Sequence, residues 1–145
     1  MEYQGIKTTA QALVAKIEAL NVGEAKLFNA VKCVAVTGGE HAAKAVATIT
    51  KYPAAIVCLG SAEPQDAMTH RDLTFRVIVL CPFSAGANDA GFAAWDVLDA
   101  LDRAFAPDED ERPCLLGESP CFAGPAEPLY ADTASSAYVF TVNVF

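Results

Sequence analysis

The chain has 145 residues, 53% hydrophobic and only 19% charged. Those proportions describe one globular domain over 1–145, able to build a core without disulfides or metal, and they exclude a disordered chain. Ten basic residues against 18 acidic ones give a formal charge of −8, which argues against sequence-specific nucleic-acid binding and against an anionic membrane surface, since both need an excess of Lys and Arg.

Met1–Gly5 has no basic segment leading into an apolar one, so no signal peptide is expected and the default compartment is the cytoplasm. Thr8 and Gln11 stand at capping-box spacing. Ile6, Ala10, Leu13, Ile17 and Leu20 then share one face at helical period, and Asn21 and Gly23 suit the end of that helix. Lys26–Thr37 carries Leu27, Phe28, Val31, Cys33, Val34, Ala35 and Val36, and its second half reads as a strand. Gly38-Gly39 interrupts, and Ala42, Ala45, Val46 and Ile49 resume helical spacing until Pro53 stops the helix.

Ala54–Leu59 is short and continuously apolar, the pattern of a strand buried on both faces. Leu73, Phe75, Val77, Val79 and Cys81 alternate with Thr74, Arg76, Ile78 and Leu80, which predicts a strand with one face that begins wet and turns dry. A helix is expected over about Asp89–Phe105, with Trp95, Leu98, Leu101 and Phe105 as its core stripe and Ala94 and Val97 beside it. Pro113–Pro128 reads as a loop or a broken edge strand, because proline donates nothing to a ladder. Tyr138, Phe140, Val142 and Val144 alternate as a closing strand. The fold class expected is α+β: a two-layer α/β sandwich, with one mixed or mostly antiparallel sheet of four to five strands and helices on one face.

Few residues of the chain point to chemistry. Five cysteines are an odd number, which argues against a closed disulfide framework. Cys114 and Cys121 lie in the proline-rich region, where they could approach one another, but a reducing compartment disfavours a bond. His41 and His70 have no metal-ligand partner at close spacing, so no metal site and no cofactor are expected. Val36-Thr37-Gly38-Gly39 lacks the third glycine of a dinucleotide fingerprint and the Lys-Ser or Lys-Thr of a phosphate loop. A tight turn accounts for it.

Asp96, Asp99 and Asp102 recur every three residues on the last helix, away from its apolar stripe, as a solvated face does. Asp99 can pair with Arg103 there. Asp108-Glu109-Asp110-Glu111 beside Pro107 reads as a solvated loop. A His–carboxylate pair would need a nucleophile such as Ser61, Cys81 or Ser84, yet none stands in a nucleophile motif. Arg71 and Arg76 flank a strong strand as exposed residues, as anion ligands or as intersubunit partners. Phe83 and Phe145 are candidate interface anchors. From residues alone the chain reads as a domain without visible catalytic machinery.

One resemblance goes further. Tyr52-Pro53-Ala54-Ala55-Ile56-Val57, then Leu73-Thr74-Phe75-Arg76-Val77-Ile78-Val79, then Leu98-Asp99-Ala100-Leu101, then Ala137-Tyr138-Val139-Phe140-Thr141-Val142 occur in that order. The series resembles the small tail-completion proteins of phages and prophages, the Mu-like tail proteins and tail terminators. The resemblance implies a non-enzymatic structural subunit that forms a ring, commonly hexameric, on the end of a tail tube. Tail-tube and head-connector proteins would be its partners, and the virion tail or the host cytoplasm its location. Arg71, Asp72, Arg76 and Phe83 are the residues assigned to a subunit interface on this reading. Two rivals stand beside it: a small ligand-binding or regulatory α+β domain with its Gly38-Gly39 turn on an anion, and a small enzyme using His41 or His70.

Overall fold

A computed structural model describes residues 5–34, 46, 48–64, 71–82, 92–131 and 135–145. Its first helix, α1, spans Ile6–Glu18. Leu13 and Ile17 are fully buried, and Ile6, Ala10 and Leu20 pack partly buried against the same core. The capping box does not form. Gly5 is the N-cap without a side-chain hydrogen bond, Thr8 lies inside the helix, and the Thr9 hydroxyl donates back to the Gly5 carbonyl at 2.9 Å. The pull of Ile6 toward the core accounts for the earlier start. Gly23 does not end the helix either. It takes φ 63° in a turn that joins β1 (Asn21–Val22) to β2 (Ala25–Lys26).

The main sheet comprises β3 (Ala30–Val34), β4 (Ala54–Pro64), β5 (Arg71–Pro82), β6 (Cys114–Leu116), β7 (Ser119–Ala131) and β8 (Ser135–Val144). Their order across the sheet is β3-β4-β5-β8-β7-β6, with β3 parallel to β4 and every other pairing antiparallel. The second long helix, here α2, spans Phe92–Phe105.

Side-chain alternation divides the centre of the sheet between two cores. Ala55, Val57, Val77, Val79, Phe140 and Val142 face α1 and α2. Ala54, Ile56, Cys58, Ile78, Leu80 and Ala137 face the other way, against Ile49 with Val46 and Tyr52. The double burial expected of Ala54–Leu59 therefore holds through Cys58. So does the wet-to-dry face of β5: Arg76 is exposed, Ile78 nearly buried and Leu80 fully buried.

The expected two-layer sandwich of four to five strands is overturned. Six strands form one curled sheet, a separate two-stranded ribbon stands beside it, and strand outweighs helix among the described residues. The extra strands come from Pro113–Pro128, which folds into the β6–β7 hairpin. Bulges interrupt the ladder between Ala123 and Ala126 and between Pro128 and Tyr130, and a third lies between Leu59 and Ser61. Bulges bend a strand and increase its twist. The bent sheet lets α1 touch β3 and β4 near one edge and β6 at the other, while α2 rests on β5, β7 and β8. Gly60 sits in the third bulge, where a Cβ would stand 3.0 Å from the Thr74 carbonyl oxygen. No larger residue fits without moving backbone. The helix expected up to Pro53 and the Gly38-Gly39 turn lie largely or wholly outside the described residues.

Phe75 is 1% exposed in the helix-side core, and truncating a buried phenylalanine costs about 3–5 kcal/mol. Denaturant titration of Phe75→Ala should show a loss of that size. Phe92→Ala, on the surface with one stacked aromatic neighbour, should cost no more than about 1.5 kcal/mol.

Candidate functional site

The apolar stripe of α2 is rotated from its expected position. Ala94, Val97, Leu101 and Phe105 are the buried residues, Leu98 is only half-buried, and Trp95 is 53% exposed. Small Ala94 against the sheet allows the helix to approach closely, and the indole is turned outward. It stacks on exposed Phe92 with ring centroids 4.8 Å apart and planes 24° from parallel. The indole N–H donates to the Tyr138 hydroxyl at 3.0 Å, which ties the pair to β8.

A second aromatic pair sits at the other end of β8. Phe122 and Phe145 meet edge to face at 5.6 Å, 39% and 42% exposed, with Leu115 also largely exposed. The Phe145 N–H donates to the Pro120 carbonyl at 3.0 Å, which fixes the last residue against β7. Phe122 is the ladder partner of Asn143, on the face opposite Val142 and Val144 of the helix-side core. Tyr138 belongs to the helix side. Tyr138 and Phe145 are separated by the length of β8, about 20 Å or more at roughly 3.3 Å per residue. The two pairs are thus far apart and on opposite faces.

The residues assigned from sequence to an interface are only partly placed. Asp72 is half-buried, faces Glu63 across the ladder, and has Oδ1 buried without a hydrogen-bond partner among the described residues. Arg76 is exposed mid-strand, opposite Cys58 on one side and Thr141 on the other. Arg71 opposes Pro64 through its backbone. The Arg71 side chain lies outside the described residues, as do Phe83, His41, His70 and Ser84. Asp96, Asp99 and Asp102 are all exposed, and no ion pair links Asp99 to Arg103. The Asp108–Arg112 segment is more ordered than a plain loop. Asp108 Oδ1 accepts from the N–H groups of Asp110 and Arg112 at 2.9 Å, and Arg112 pairs with Asp110 at 2.8 Å.

A recess of about 500 Å³ lies between α1 and the β3–β4 edge, lined by Ile6, Ala10, Val34, Leu59 and Phe75 with Lys7 as its charged member. Among the described residues no three His, Cys, Asp or Glu side chains group to hold a metal, and no helix is long and apolar enough to cross a membrane. No protein-family model matches the chain, and no curated protein matches it.

All five cysteines are free thiols. Burial pushes Cys58 and Cys81 up to about 11 and Cys121 up to about 12, with the Cys114 thiol adding to the last. Such thiols stay protonated and poorly nucleophilic at neutral pH. Because the folded values exceed the ~8.5 of a free thiol, the unfolded chain loses protons first as pH rises. Stability should then be level below about pH 8 and fall as pH climbs toward 11. Thermal melts across that range test this, and stability rising with pH there would contradict it. Alkylation at pH 8 should label exposed Cys33 well before Cys58, Cys81 and Cys121.

Proposed function

We propose that this chain is a non-enzymatic structural subunit of a phage or prophage tail, forming a ring that caps the tail tube and helps join tail to head. The order of the sequence segments supports the family reading. The observation that carries the assembly reading is the pair of exposed aromatic patches, Phe92–Trp95 and Phe122–Phe145, at opposite ends and on opposite faces of β8. Exposed aromatic clusters mark association surfaces. Two unlike patches favour head-to-tail contact, in which each subunit offers one patch and receives the other. Such contacts close into a ring when the rotation between neighbours permits.

Partners on this reading are further copies of the chain, the tail tube and the head connector, without sequence-specific nucleic-acid or membrane contact. Assembly takes place in the bacterial cytoplasm and ends in the virion tail. Arg71, Asp72, Arg76 and Phe83 are proposed to flank the subunit contact. The net charge of −8 agrees with a lumen that does not hold passing DNA. A ligand-binding domain is the second reading, and the recess beside Lys7 is the observation in its favour. Binding pockets combine an apolar lining with several converging polar groups, whereas among the described residues one lysine is the only charged side chain that lines this recess.

Mixing variants distinguishes head-to-tail assembly from other modes. Trp95→Ala spoils one patch and Phe122→Ala the other, so each alone should lower the sedimenting mass. Mixed together, they retain one intact contact per pair and should stop at a heterodimer. Full assembly by either variant alone, or no heterodimer in the mixture, would overturn the reading.

A further inference from the structure

The β6–β7 hairpin sets Cys114 directly opposite Cys121. Opposed residues of an antiparallel ladder have Cα atoms about 4.5–5.5 Å apart and side chains on one face, inside the about 4.4–6.8 Å span of disulfides. Both belong to the helix-side core, Cys121 fully buried and Cys114 half-buried against it. The neighbouring Cys114 thiol helps to hold the Cys121 thiol protonated, and Cys114 Sγ donates to the Ala104 carbonyl of α2 at 3.8 Å. The hairpin turn at Gly117 (φ 62°) holds the register, with Leu116 opposite Ser119.

We propose that Cys114 and Cys121 are a reversible dithiol–disulfide modification site, oxidised by a small disulfide such as oxidised glutathione, that staples the edge strand β6 to β7. Cys114, the more accessible thiol, attacks as thiolate one sulfur of the small disulfide and expels a thiolate, leaving a mixed disulfide on Cys114. Cys121, once deprotonated, attacks the Cys114 sulfur and expels the second small thiolate. The two protons released by the protein end on the two small thiols, and two electrons pass from the cysteine pair to the oxidant. Burial holds the Cys121 thiol protonated, so the second step is the slow one.

This site is independent of the tail reading. Full-length protein would be incubated with oxidised glutathione at pH 8, quenched by alkylation and mapped by mass spectrometry. The expected product is an intramolecular Cys114–Cys121 disulfide, formed through a transient glutathione adduct on Cys114 and reversed by dithiothreitol. Cys121→Ser should halt at the stable Cys114 adduct, and Cys114→Ser should leave Cys121 unmodified in the folded protein. The oxidised wild type should melt at a higher temperature than the reduced one. A glutathione adduct on Cys114 that persists in the wild type, or a crosslink involving Cys33 in place of this pair, would overturn the proposal.

Discussion

Strand β5 is the constraint on which the rest depends. It is paired to β4 along one edge and β8 along the other, and through its second half it is buried on both faces. A slip of one residue against either neighbour would exchange Val77 and Val79 for Arg76 and Ile78 on the helix side. That would place a guanidinium among Phe75's neighbours in an apolar core. The cost of burying an unpaired charge is prohibitive, so the register of three central strands is set by β5. The helices then settle on one face, and Ile49, Val46 and Tyr52 cover part of the other.

The position of the two aromatic pairs follows from that register. Tyr138 opposes Val79 on the helix side, where it accepts the indole N–H of Trp95. Asn143 opposes Thr74 and Phe122 on the other side, near the last residue of β8. One strand therefore carries an exposed patch at each end because its alternation presents different faces there. The curl of the sheet adds to this by bringing β6 around toward α1.

The sequence made some of this legible and hid the rest for identifiable reasons. The alternation of apolar and polar residues from Leu73 to Val77, followed by the apolar run to Cys81, reveals β5, since it fits a pleated strand that starts at a wet edge and enters the core. Strand β7 was obscured by Pro120, Pro125 and Pro128. Pro120 turns its carbonyl toward Phe145 at the end of the β8 ladder, Pro125 lies within one bulge, and Pro128 adjoins the other. Proline is tolerated at such places, but spacing alone does not reveal bulges. The sequence alone does not place Trp95 outside the core, because α2 carries two overlapping apolar stripes that share Leu101 and Phe105. Close approach through Ala94 decided between them, and residue size along the stripe was the only available signal. The facing cysteines needed the hairpin register, which the prolines concealed.

The central claim is that unlike patches join copies of this chain head to tail into a closed ring. Light scattering across a concentration series, with negative-stain images of the same wild-type sample, tests it most directly. The account predicts a mass that climbs with concentration to a limiting hexamer seen as an open ring. A mass that stops at a two-fold dimer, or stays monomeric throughout, would contradict it.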